Sequence, residues 1–187
     1  MYENDPLWKL RHALIGLGLA LLLSVLAAAL LGVGIGLPAA AGSYEDFLHA
    51  LRNDGVDALR RLQRQGFDFN TRDEGGQPGL LLALRSDSLR AAEFLLAQPG
   101  IDLDALSANG ENALMLAALR GHVGLFKQLI GQGAEVNQPG WTPLHYAATN
   151  GHLDIIATLL EHHAYIDAES PNKTTPLMMA AHYGTPQ

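Results

Sequence analysis

Eight histidines and nineteen carboxylates carry most of the reactive chemistry in this chain of 187 residues. Imidazole is a common metal ligand, so the histidines raise a metal or haem site first. His162 and His163 are adjacent, and His182 is the third candidate for such a cluster. Adjacent side chains point in different directions, however, and the pair lacks the H-x3-H spacing that sets two rings on one helix face. The carboxylates are scattered, so no acid–base pair stands out. There is no cysteine, which excludes disulfides, thiolate zinc sites and a Cys nucleophile. No G-x-S-x-G, Walker, H-E-x-x-H or G-x-G-x-x-G context appears; Gly32-x-Gly34-x-Gly36 sits in an apolar run and is no phosphate loop. Twelve Lys and Arg against nineteen Asp and Glu, a net charge of −7, argue against nucleic acid as a partner. Catalysis has no residue to carry it, and no cofactor or metal is expected.

The elements that would position any site begin with Ala13 to Leu37, 25 residues without a charge. As a helix this run spans roughly 37 Å at ~1.5 Å per residue, more than the ~30 Å hydrocarbon core of a bilayer. Lys9 and Arg11 precede it and Glu45 and Asp46 follow, which predicts a cytoplasmic N-terminus and a remainder beyond the membrane. The organisation expected is a cytoplasmic segment 1–12, a transmembrane helix or signal anchor 13–37, a linker 38–42 and a folded region 43–187. The alternative is a signal peptide cut after Ala41, since Ala39-x-Ala41 fits the small-residue cleavage rule. Either way the folded region is exported, to the periplasm if the source is bacterial. Gly32 and Gly36 are read as ordinary membrane-span glycines rather than a packing motif.

Within the folded region, Trp141 to His152 reads as helix start, short apolar helix, stop and second helix. Thr142 suits a cap and Pro143 the first turn. Leu144, Ala147 and Ala148 form one stripe, Gly151 ends it, and Leu153, Ile156, Leu159 and Leu160 form the next. The unit recurs. Phe47, Leu80, Leu114, Leu144 and Leu177 are equivalent, at spacings of 33, 34, 30 and 33 residues. Asn70, Asp104, Asn137 and Asp167 close successive units, which run about 43–72, 73–105, 106–138, 139–168 and an incomplete 169–187. Ser43 and Asp46 are expected to cap the first helix. Asp54 and His163 stand where Gly is expected, the latter costing ~1–2 kcal/mol if left-handed. Only Gln138, Pro139 and Gly140 separate Asn137 from Trp141, so the turn there is trimmed. The last unit stops at Thr185-Pro186-Gln187 before a second helix, leaving Leu177 and Met178 short of cover, and is read as continuing further.

A period near 33 residues with Thr142-Pro143-Leu144-His145-Tyr146-Ala147, T-P-L-H-x-A, resembles the ankyrin repeat. Thr175-Pro176-Leu177 begins a second copy, with Met178 in place of His. Gly121-His122, Gly151-His152 and Gly133-Ala134-Glu135-Val136-Asn137 match further family signatures. The resemblance covers about Ser43 to Gln187 and implies an all-α ankyrin-repeat solenoid with projecting hairpin loops, here behind the N-terminal transmembrane helix. It implies that His122, His145 and His152 hydrogen-bond backbone between turns. It also implies a non-catalytic module that binds a protein at hairpin tips and the concave first-helix side. Candidates for recognition are the positions stacking explains least: Arg72, Glu74, Gln77 and Arg85 in unit two; Leu106, Asn109, Glu111, Leu119 and Arg120 in unit three; Trp141, Thr149 and Asn150 in unit four; His182 and Tyr183 in unit five. Trp141 leads them, since aromatic anchors dominate interface energetics. The alternatives are an assembly or stabilising factor for an exported enzyme and a His-based metal or haem binder.

Overall fold

The computed structural model describes residues 39–184. The chain divides into two compact units, Met1–Gly42 and Ser43–Gln187, and the account below concerns the second. Nine helices are described: α1 Ala39–Arg52, α2 Val56–Arg64, α3 Gly79–Arg85, α4 Leu89–Leu96, α5 Ala113–Arg120, α6 Val123–Gly131, α7 Pro143–Asn150, α8 Leu153–Glu161 and α9 Pro176–Tyr183. Strands are absent among the described residues; a lone bridge pairs Arg72 with Pro78. Ser43 lies inside α1 rather than at its start, because the helix runs back through the alanines to Ala39.

First and second helices form separate rows. α3, α5, α7 and α9 pack in succession, as do α2, α4, α6 and α8, and each pair closes on itself through α3–α4, α5–α6 and α7–α8. The stripes explain this: Leu114, Ala117 and Ala118 of α5 and Leu144, Ala147 and Ala148 of α7 are all buried, as are Leu125, Phe126 and Leu129 of α6. Small alanines let neighbouring first helices approach, and each apolar face is covered only by the adjoining pairs. Leu80, Leu114 and Leu144 are 2%, 0% and 4% exposed, whereas Leu177 is 77% exposed.

The fourth unit is capped where expected. α7 starts at Thr142 with Pro143 in its first turn and ends at left-handed Gly151. Asp54, Asp87 and His163 also take positive φ, at 53°, 58° and 62°. Asp tolerates that region better than most residues; His163 occupies it at a backbone cost.

The expected membrane span, 13–37, lies outside the described residues. Among the described residues no helix is long and apolar enough to cross a membrane. The longest, α1, has 14 residues, roughly 21 Å at ~1.5 Å per residue against a core of ~30 Å. The fold is therefore corrected to an all-α repeat solenoid, with no membrane-crossing helix among the described residues. The signal anchor, the membrane as a partner and the exported or periplasmic placement rested on that helix and are set aside, together with the assembly factor for an exported enzyme.

Candidate protein-docking site

Trp141 stands immediately before the Thr142 cap, so the start of α7 fixes its backbone. Its ring meets His145 edge-on at 5.2 Å and 74°, and Tyr146 at 6.4 Å and 68°. Both geometries suit the ring quadrupoles. With Leu119, Thr149 and Met179 these residues line a pocket of about 220 Å³. Three consecutive first helices contribute: α5 gives Leu119, α7 gives His145, Tyr146 and Thr149, and α9 gives Met179.

Beneath the pocket His145 is fully buried. One ring nitrogen, Nε2, lies 2.9 Å from the Thr174 carbonyl, which can only accept, so Nε2 carries the proton. Nδ1 then accepts the Thr142 N–H at 3.2 Å and lies 2.9 Å from the Thr142 hydroxyl. This is a capping box with imidazole in the place usually held by Glu or Gln. Burial pushes the His145 pKa below its ordinary value, against the bonds to backbone at Thr174 and Ala168. The ring is a neutral strut between one unit and the next.

A polar chain runs beside it. The Tyr146 hydroxyl donates to Glu111 Oε1 at 3.4 Å, and Glu111 Oε2 pairs with Arg85. Burial first, and then the Glu111 carboxylate, push the Tyr146 phenol up to about 12, while Arg85 opposes them. Tyr146 is thus a neutral donor linking units two, three and four.

The other candidates separate into two groups. Several are inter-unit ties. Arg72 donates to the carbonyls of Gly76 and Leu106 at 2.9 and 2.7 Å. Arg120 donates to Arg85 O at 2.9 Å and Asn150 to Leu119 O at 2.7 Å. The Thr149 hydroxyl donates within its own helix, to His145 O. The remainder stand apart from the pocket. Glu74 and Asn109 are exposed at hairpin tips, Gln77 is half-buried there, and Leu106 is exposed. His182 and Tyr183 meet edge-on at 4.3 Å and 86° at the end of α9. So the structure brings together Leu119, Trp141 and Thr149, with Glu111 and Arg85 alongside.

Two wall residues were missed by sequence reasoning, Tyr146 and Met179. Their signal was available: both occupy the variable x of T-P-L-H-x-A, four residues after Thr142 and Thr175. A second missed feature is a ladder at the unit ends. Asn70 accepts from Asp102 N–H and donates to Gly100 O, both at 2.9 Å. Asp104 accepts from Glu135 N–H at 2.9 Å, and Asn137 accepts from Tyr165 N–H and donates to His163 O.

Among the described residues no group of three His, Asp or Glu is placed to hold a metal ion. His152 bonds Leu119 O at 3.0 Å, while His122 Nε2 faces Asp87 Oδ1 at 2.9 Å rather than a backbone carbonyl. His162 and His163 are both exposed. The metal or haem reading is therefore dropped.

The family model described as "Ankyrin repeats (3 copies)" matches residues 47–139, 82–170 and 114–187. Similar curated proteins include Neurogenic locus notch homolog protein 1 of Xenopus tropicalis, 34% identical over 140 residues. The Homo sapiens protein of that name is 33% identical over 140 residues, and the Danio rerio protein 32% over 139. These matches cover 72–73% of this chain but only 6% of each relative. With its period, its caps and its two rows of helices now matched by the family model, the chain belongs to the ankyrin-repeat family, a non-catalytic scaffold, and is not an enzyme.

Proposed function

We propose that this chain is a protein–protein interaction module that docks its partner on the hairpin-tip and first-helix side, centred on Trp141. The observation that carries the reading is the pocket built by Leu119, Trp141, Tyr146, Thr149 and Met179. Most apolar side chains here are spent on neighbouring units, whereas these leave an open concavity with aromatic walls. A rigid, preformed surface loses little conformational entropy on association, and aromatic anchors dominate such contacts.

The test is site-specific photo-crosslinking in the native cell, with the probe at Thr149 on the pocket rim and, separately, at Arg61 on α2. A discrete protein adduct is expected from Thr149, absent from Arg61 and lost with Trp141→Ala. Equal adducts from both positions, or adducts indifferent to Trp141→Ala, would sink the reading. Once the partner is in hand, Trp141→Ala should weaken its binding about ten-fold or more.

A further inference from the structure

Units two, three and five each close a hairpin with the same pair of backbone bonds. Asp73, Ser107 and Ser170 donate their N–H to the carbonyls of Gln77, Glu111 and Thr174, at 2.9, 2.8 and 3.0 Å. Trp141 is the unit-four counterpart of Gln77, Glu111 and Thr174, three residues before the equivalent leucine in each case. The counterpart of Ser107 is one of the three residues missing between Asn137 and Trp141. So the Trp141 carbonyl has lost its hairpin donor.

A second donor is missing too. Thr174 O also accepts from Nε2 of His145 in the preceding unit. The counterpart of His145 in unit three is Met115, which has no N–H to offer. Thr174 O therefore holds bonds from Ser170 N–H, Ser170 Oγ and His145, while Trp141 O holds none among the described residues. The backbone N–H groups of Gln138, Gly140 and Trp141 are likewise unpaired there. One unit back, the side-chain Nδ2 of fully buried Asn112 has no partner either. These groups lie on a bent loop, with Gly140 at φ 90°, and are open to bonds from a partner. Glu135, three residues before the trimmed loop, is an exposed carboxylate in no ion pair among the described residues, and its Oε1 accepts the Asn137 N–H at 2.9 Å. Residues 101–184 carry eight carboxylates against three Lys and Arg.

We propose that the loop Gln138–Trp141 seats an extended, basic peptide segment of the partner. Its backbone pairs with the free groups of the loop. One apolar side chain of the segment enters the 220 Å³ pocket beside Trp141, which is below the ~300 Å³ at which pockets begin to take whole small molecules. Basic flanking residues meet the carboxylate excess. This rests on the docking reading above and gives it a partner chemistry.

The probes are capped peptides Lys-Thr-X-Thr-Lys, with X as Leu, Phe or Ala, and the acidic Glu-Thr-Leu-Thr-Glu. Each is titrated into the isotope-labelled whole chain and followed by amide chemical shifts. The Leu and Phe peptides should shift Gln138, Gly140 and Trp141, and bind about ten-fold tighter than the Ala peptide, the effect of one buried apolar side chain. The acidic peptide should bind about ten-fold more weakly than its basic counterpart. Inserting Ala-Leu-Ser after Asn137 supplies the missing hairpin and should abolish the shifts. Trp141→Ala, which keeps the loop, should erase the preference for Leu over Ala while the loop amides still respond. No shift at those amides with any peptide, or an unchanged response in the folded insertion variant, overturns the seat. If a crosslinked protein partner still depends on Trp141 in that case, the docking surface stands without it.

Discussion

Asp54 Oδ1 accepts the N–H of Ala91 at 2.7 Å, across 37 residues of sequence. Ala91 is the third residue of α4, and Ser88, the residue ahead of that helix, makes no side-chain cap bond. A carboxylate of one unit thus caps a helix of the next, where the helix dipole favours negative charge. Asp54→Ala should cost about 1–2 kcal/mol in urea unfolding, the usual worth of a cap. Asp54→Asn keeps an acceptor and tolerates positive φ, and should cost less than half as much. Equal losses for the two variants would show that the capping bond is not what Asp54 contributes.

His145 should make stability depend on pH in one direction. Its folded pKa is lowered below the ordinary 6.5 by burial. Below 6.5 the unfolded chain binds a proton that the folded chain refuses, so stability is full above that pH and declines as pH falls towards the folded value. Melting temperature measured from pH 8 to pH 5 should fall in the lower part of that range. In His145→Gln the fall should shrink, with a general loss of about 1–3 kcal/mol from the broken link to Thr174.

Gly121 and Gly133 separate two effects of adding a methyl group. Both have positive φ, 72° and 91°. A Cβ on Gly133 meets nothing within 4 Å, whereas one on Gly121 would lie 2.6 Å from His152 Cε1. Gly133→Ala should cost only the backbone strain, about 1–2 kcal/mol. Gly121→Ala should cost clearly more, because the His152 ring must also leave its bond to Leu119 O. Thermal melts of the two variants side by side make the comparison.

His163 is the reverse case. It holds φ 62° where Gly133 holds the equivalent turn. His163→Gly should stabilise the fold by about 0.5–1.5 kcal/mol, the strain relieved less some extra freedom in the unfolded chain. Denaturant midpoints with an unchanged slope would read this directly.

These residues also show where reading by sequence succeeds. Thr142, Gly151, Asp54 and His163 were legible because caps and left-handed turns are decided locally, by residue type and a few neighbours. The apolar stripes were legible because burial repeats with the helix period. The site was harder. Arg72, Arg120 and Asn150 were proposed for recognition, yet they tie one unit to another through carbonyls about thirty residues away. A side chain bonded to distant backbone leaves no compositional trace, since any carbonyl will serve. Tyr146 and Met179 went unnoticed for the opposite reason: each looks like ordinary filling until the helix rows bring them beside Trp141. The spanning helix was inferred from hydropathy alone, and the described fold contains none.

The ladder of Asn70, Asp104 and Asn137 has a mechanical consequence. Each rung joins a unit only to the one that follows, so cohesion is passed along the array like links in a zip. Opening one rung should therefore loosen the units on either side, and protection against hydrogen exchange should change together across adjoining units. The pocket at Trp141 spans the seam between units four and five, drawing on α7 and on Met179 of α9. A partner seated there would clasp both sides at once, and in binding would lock the zip shut.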